Sequence, residues 1–190
     1  MKTVTAIVEQ KKDKKRVNVY LDGEFCCGMD LFTLMSERIK VGTEIDEKRL
    51  EEVVAQSEYS SALDKALGYI SKTMRTKVQL ITYLKGKNYD GKTIAKVIDK
   101  LFEYGYVDDE LYAKRFAAEK KLSKGKRAIA YELKTKGVDE KIIDKVMDEA
   151  ESEDEGCMRI AVKYLKGREL DFETRGKCYR YLLSKGFSYD

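Results

Sequence analysis

Three decapeptides hold the key to this chain: YLKGKNYDGK at residues 83–92, ELKTKGVDEK at 132–141 and YLLSKGFSYD at 181–190, spaced 49 residues apart, twice. Each joins an apolar helical turn to Lys and then to Asn or Gly: Leu84 leads to Lys87-Asn88-Tyr89, Leu133 to Lys136-Gly137-Val138, and Leu182 to Lys185-Gly186-Phe187. Asn and Gly are the residues that end a helix in the left-handed conformation. The register holds downstream, where Ile94, Val97, Ile98 and Leu101 fall on Ile143, Val146, Met147 and Ala150. Upstream, Ala66-Leu67-Gly68-Tyr69-Ile70 is echoed by Ala161-Val162-Lys163-Tyr164-Leu165 with a small length shift.

A repeat of this length reads as three short helices per unit. In the first unit they are expected near 60–72, 76–86 and 90–103, and Asp108 and Asp139 read as N-caps in the second. The fold class is therefore mostly α: tandem three-helix repeats of period 49 stacked into an elongated array. The expected divisions are an N-terminal β-hairpin element plus helices at 1–58, repeats at 59–105 and 106–153, and an incomplete third repeat at 154–190 that lacks its last helix. Leu182 and Phe187 on that open unit are expected to be exposed unless residues of the first two units cover them.

The first thirty residues change period. Val4, Ala6 and Val8 alternate with polar neighbours, as do Val17, Val19 and Leu21 after the basic loop at 11–15. Asp22-Gly23 suits a tight hairpin turn before a third segment at 24–27, which predicts a sheet of three strands at most, leaning on the helices that follow. Leu31, Leu34, Met35 and Ile39 form an apolar helical stripe. Thr43 and Asp46 read as an N-cap pair before Leu50, Val53 and Val54.

Composition excludes several kinds of chemistry. The chain of 190 residues has no histidine, and its four cysteines form no CxxC pair. A zinc site and His-dependent nucleophilic catalysis are therefore not expected, and neither metal nor cofactor is. Reduced, buried thiols fit a cytoplasmic protein. The chain has no run of about 18 apolar residues and no signal peptide at its start, so no membrane partner is expected.

One motif points elsewhere. Gly86-Lys87-Asn88-Tyr89-Asp90-Gly91-Lys92-Thr93 fits the phosphate-loop pattern G-x-x-x-x-G-K-[ST]. That chemistry needs a loop leaving a strand and opening a helix. The second copy keeps the Lys-Gly turn at 135–142 and loses the Gly-Lys-Thr, so this position in the repeat does not require a nucleotide.

Charge is unevenly spread within a net +4. Residues 112–137 carry nine Lys or Arg against two acids, residues 138–155 two against nine, and residues 156–190 eight against four. The first block contains Lys114, Arg115, Lys120, Lys121, Lys124, Lys126, Arg127, Lys134 and Lys136, interleaved with Tyr112, Phe116 and Tyr131. Such a block suits salt-dependent phosphate neutralisation, and its aromatics could stack on bases, although aromatics at helical spacing are more often core. A general nucleic-acid-binding helical module is one reading.

A second comes from resemblance. The phrase GYVDDELYAKRFA at 105–117, lying between the first two decapeptides and their helices, resembles the RecX family of recombination regulators. Tyr69, Arg75-Thr76 with Gln79-Leu80, Lys87-Asn88-Tyr89, Ile94 with Val97-Ile98, and Gly105-Tyr106-Val107-Asp108-Asp109 with Tyr112-Ala113 occupy the positions of that family's pattern. The resemblance spans about 60–187, and residues 1–30 resemble the N-terminal extension of longer members. Gly125-Lys126 replaces a usual Gly-Pro, and Thr73 stands where Arg is common.

The resemblance implies a non-enzymatic regulator of recombination, DNA repair and the SOS response. It would bind the RecA recombinase filament on single-stranded DNA and suppress ATP hydrolysis and strand exchange, and it is expected to be a monomer. Expected contacts to DNA or the filament groove are Arg115, Lys120, Lys121, Lys124, Lys126 and Arg127, with Lys177 and Arg180 on the third unit. Asp108 and Asp109 are candidate RecA contacts, although N-capping explains Asp108 as well.

Overall fold

The computed structural model describes residues 1–11 and 13–188. Lys12 of the basic loop, and Tyr189 and Asp190 at the end of the third decapeptide, lie outside the described residues. The chain divides into two compact units, Met1–Thr73 with Leu80–Tyr104, and Met74–Gln79 with the residues from Gly105 onward.

In the first unit, β1 (Lys2–Glu9), β2 (Arg16–Leu21), β3 (Glu24–Asp30) and the two-residue β4 (Glu44–Ile45) form an antiparallel sheet in the order β3-β2-β1-β4. The sheet has four strands rather than the three expected, because Lys2 and Thr3 pair with Ile45 and Glu44, a partner too short to carry a periodic signal. Asp22 and Gly23 take φ of 49° and 88°, the two positive values that the β2–β3 turn requires. The alternation expected along β1 fails after Val4. The pairing register slips between Val4 and Ala6, so Ile7 packs against the core and Val8 is exposed.

The helical stripe from Leu31 to Ile39 is also broken. α1 (Leu31–Ser36) stops after six residues and Arg38 turns left-handed at φ 54°, so Leu34 and Ile39 are buried while Leu31 and Met35 are exposed. Asp46 alone caps the next helix, accepting from the Arg49 amide, and Thr43 accepts from the Lys40 amide instead.

That helix, α2 (Glu47–Ile70), runs without a break through residues 58 and 59, so the N-terminal element and the first repeat share it. It packs on α4 (Gly91–Glu103), and Ala62, Ala66 and Val97 are fully buried. Between them in sequence lies α3 (Lys77–Lys85), inside which the division of the two units falls.

The phosphate-loop lookalike is a helix–turn–helix junction. Residues 77–85 before it are helical, Asn88 turns left-handed at φ 65°, and Asp90 caps α4 through the Lys92 and Thr93 amides and the Thr93 hydroxyl. These hydrogen bonds hold the Asp90 carboxyl below its usual range, the Thr93 hydroxyl contributing most. Asp90→Ala is expected to cost about 1 kcal/mol in urea unfolding. Lys92→Ala should leave stability unchanged and expose no nucleotide affinity by calorimetry.

The second unit contains α5 (Asp109–Lys120), α6 (Lys126–Thr135), α7 (Glu140–Glu149), α8 (Asp154–Leu165) and α9 (Phe172–Ser184). α5, α6 and α7 enclose a core of Ala113, Ala117, Ile129, Leu133, Val138, Ile143 and Val146. Among the described residues no helix follows α9.

The repeated decapeptide has a structural purpose in this unit, because a helix start docks on each of its last two copies. Thr76 and Gln79 cap the start of α3 reciprocally, and the buried Thr76 hydroxyl donates to the Lys136 carbonyl at 2.7 Å. Forty-nine residues later, the Gly125 amide at the start of α6 donates to the Lys185 carbonyl at 3.0 Å. Gly137 and Gly186 are left-handed at φ 80° and 86°. A Cβ on Gly137 would meet Val78 at 2.4 Å, and one on Gly186 would meet Ala128 at 2.4 Å. Glycine there both turns the chain and admits the neighbouring helix start.

This docking explains why Phe187 is buried rather than exposed, since the start of α6 sits against it, while Leu182 is half-buried. Exposed apolar side chains on α8, α9 and the segment between them include Met158, Val162, Leu170 and Phe172. The lysine of the phrase is explained as well. Lys87, Lys136 and Lys185 lie 5.6, 5.3 and 5.2 Å above the rings of Tyr83, Phe116 and Tyr181.

Candidate nucleic-acid interface

The cationic block at 112–137 does not form a bare positive surface. Acids before, within and after the block pair with its lysines. Lys121 pairs with Glu151 at 2.7 Å, Lys114 with both Glu110 and Glu149 at 2.8 and 3.0 Å, and Lys124 with Glu132. Lys120 pairs with its neighbour Glu119 at 2.7 Å. The acidic partner in each case holds Lys114, Lys120 and Lys121 above the ordinary lysine range. Glu110, bound by Lys114 and Lys145, is held down to about 2. Solvent-exposed pairs of this kind add little to stability, so a phosphate can replace the carboxylate at small cost.

Lys126 has a different role. Its ammonium donates to the Met147 and Ala150 carbonyls at 3.0 and 2.9 Å, closing the C-terminal end of α7, and its amide donates to Glu153 at 2.8 Å. Lys121, Lys124 and Lys126 border a cavity of about 330 Å³ floored by Ala117, Ile129 and Val146. Arg115, Lys120 and Arg127 do not line it. Arg115 donates to the Met74 sulfur at 3.3 Å. Arg127 is exposed on α6. On α9, Lys177 pairs with Glu173 at 2.6 Å, and Arg180 is exposed. The eight cations expected to act together are therefore divided among a cavity rim and the surfaces of α5, α6 and α9.

Asp108 and Asp109 both cap helices. Asp108 accepts from the Leu111 amide at 2.8 Å at the start of α5, and Asp109 from the Lys77 amide at 2.8 Å at the start of α3. Burial raises the Asp109 carboxyl, partly offset by the Lys77 amide. Asp108 is exposed and Asp109 half-buried, and both carboxylates are engaged as helix caps.

Tyr131 departs from the core reading of the three aromatics. Tyr112 and Phe116 are half-buried and stacked at 6.2 Å, as core spacing suggested, whereas Tyr131 is 70% exposed. The signal was present in the helix period: Ile129 and Leu133 are the buried pair, and Tyr131 falls between them on the outer face. Among the described residues, no group of three or more His, Cys, Asp or Glu is placed to hold a metal ion. No helix there is long and apolar enough to cross a membrane.

Comparison with known proteins agrees with this architecture part by part. Residues 2–46 match the family model described as Regulatory protein RecX N-terminal domain, residues 62–101 RecX, first three-helix domain, and residues 108–147 RecX, second three-helix domain. The regulatory protein RecX of Clostridium tetani is 33% identical over 193 residues, covering 98% of this chain and 89% of the relative. That of Clostridium beijerinckii is 34% identical over 194 residues, covering 99% and 91%. The chain belongs to the RecX family.

Solved RecX structures share the fold. One crystal structure of regulatory protein RecX superposes with a TM-score of 0.72 at 26% identity, covering 99% of this chain and 95% of that one. RecX from Lactobacillus salivarius gives 0.65 at 24% identity, covering 70% and 90%. The RecX motif at 105–113 is now accounted for by structure. Gly105 turns left-handed at φ 67° to end α4, Val107 is buried, and the two aspartates cap α5 and α3. α8 and α9, which carry Lys177 and Arg180, lie beyond the segments matched by the RecX family models.

Proposed function

We propose that this RecX-family chain is a non-enzymatic cytoplasmic regulator that binds the RecA recombinase and its filament on single-stranded DNA, and lowers ATP hydrolysis and strand exchange. The observation that carries the reading is the likeness to proteins named regulatory protein RecX over 98–99% of the chain. The chain's construction supports it. Covalently linked copies of one three-helix unit can meet successive protomers of a polymer, so several weak contacts add as avidity. Arg115, Lys120, Lys121, Lys124, Arg127, Lys177 and Arg180 remain the proposed contacts, the four lysines as cations that can exchange a surface carboxylate for phosphate and the three arginines as exposed cations. Lys126 is withdrawn from that set because its ammonium closes α7.

Adding the protein to RecA on single-stranded DNA is expected to lower ATP turnover at sub-stoichiometric amounts. Unchanged turnover at an excess over RecA, from a protein that still binds bare oligonucleotide, would favour the general nucleic-acid-binding module instead.

A further inference from the structure

The outer face of α6 carries Arg127, Tyr131 and Lys134, one helical turn apart and all exposed. The acid beside them, Glu132, is turned to Lys124, and Lys134 meets Glu140 at 3.1 Å in a pair open to solvent on both sides. Other exposed aromatics sit in different surroundings. Phe172 is 94% exposed but lies between Asp171 and Glu173, and Tyr104 has Lys100 of its own helix 4.4 Å from its ring. Tyr131 alone among these has a cation on both sides of its ring along one helix face. A repeat period onward, Arg180 on α9 occupies the position of Tyr131 and Lys177 that of Ala128, so the next copy exposes cations on the same face.

We propose that Tyr131 is a base-stacking platform for single-stranded nucleic acid, with Arg127 and Lys134 neutralising the flanking phosphates. A phenol ring standing clear of the core offers its π-face to any base, and cations one turn to either side match the backbone charge beside a stacked base. Duplex DNA is the poorer ligand for this unit. α7, the helix that would enter a major groove in helix-turn-helix fashion, exposes Glu140, Asp144, Asp148 and Glu149 against Lys141 and Lys145. Four carboxylates facing phosphate would repel it. The inference rests on the single-stranded DNA part of the proposed function and not on RecA.

The test uses the full chain and a labelled oligo(dT). Tyr131→Ala should weaken binding on the order of ten-fold, the loss of one stacked base, without changing the slope of affinity against salt. Tyr131→Phe should bind as the wild type does. Lys134→Ala should instead reduce the salt slope by about one, the signature of a lost phosphate contact. Because the chain contains no tryptophan, Tyr131→Trp supplies a single reporter whose emission should be quenched as oligo(dT) saturates. Circular dichroism checks folding, which an exposed side chain should leave intact. Wild-type-like affinity of the alanine variant, an unquenched tryptophan at saturation, or no oligonucleotide binding by the wild type each overturns the proposal. Inhibition of RecA by the wild type alongside any of these would leave the RecA reading standing. Tyr131-dependent binding without an effect on RecA would do the reverse.

Discussion

Gly186→Ala is expected to destabilise the second unit by about 2–5 kcal/mol, the sum of a left-handed penalty near 1–2 kcal/mol and an overpacking term near 1–3 kcal/mol. The residue sits at φ 86°, and its new Cβ would lie 2.4 Å from the Ala128 amide nitrogen and 2.5 Å from the Ala128 Cβ. Relief requires the start of α6 to move away. That would strain the Gly125 amide's hydrogen bond to the Lys185 carbonyl and uncover Phe187. Gly176→Ala is the control, ten residues earlier in α9. A Cβ there meets nothing within 4 Å, so removing the flexibility of glycine from a helix interior should stabilise by about 0.5–1 kcal/mol. Urea unfolding of the two variants should therefore shift in opposite directions. Coincident midpoints would mean that the decapeptide is a turn only and not the junction between copies.

Lys126→Glu should be nearly as damaging, at about 3 kcal/mol or more. It removes two hydrogen bonds from a charged donor and brings a carboxylate to the carbonyls of Met147 and Ala150. Arg180→Ala, at an exposed position, should stay within about 0.5 kcal/mol of wild type. Reversing charge across residues 120–127 as a block would thus confuse folding with binding; Lys126 reports the first and its exposed neighbours the second. A Lys126→Glu protein that unfolds with the wild type would show that the α7 closure is dispensable.

The clasp around Lys126 also sets a pH dependence. Glu153 accepts from the Lys126 and Ser188 amides at 2.8 and 2.7 Å. Burial pushes its carboxyl up, but these amides outweigh it and the net position is below the ordinary 4.5. A carboxyl lower in the folded than in the unfolded chain contributes stability that is complete above about pH 4.5 and is lost as pH falls through its folded value. Glu153→Gln should accordingly show a flatter stability profile in that acidic window than the wild type.

Much of this architecture is written locally. Asp46, Asp90, Asp108 and Asp139 cap the helices that follow them, and Asn88, Gly137 and Gly186 are left-handed, because both effects act within about four residues. The failures lie where locality ends. β4 is two residues long and exists only because β1 is there to pair with it. The slip after Val4 inverts the faces of β1 without any sequence cue, and the continuous α2 hides the expected division near residue 58.

For the candidate interface the balance tips further. The sequence by itself determined the repeat, its period, the helix ends and the presence of a basic block followed by an acidic one. It also determined, through the RecX motifs, the family. Only the tertiary structure decided that part of the acidic block folds onto the basic one, with Lys121 reaching Glu151 and Lys114 reaching Glu149. It also showed that Lys126 and Asp109 serve the fold and that Tyr131 stands in solvent. The reason is the range of the forces. Capping and backbone conformation are settled by neighbours along the chain, whereas pairing of charges thirty residues apart and the exposure of one ring depend on how the helices pack.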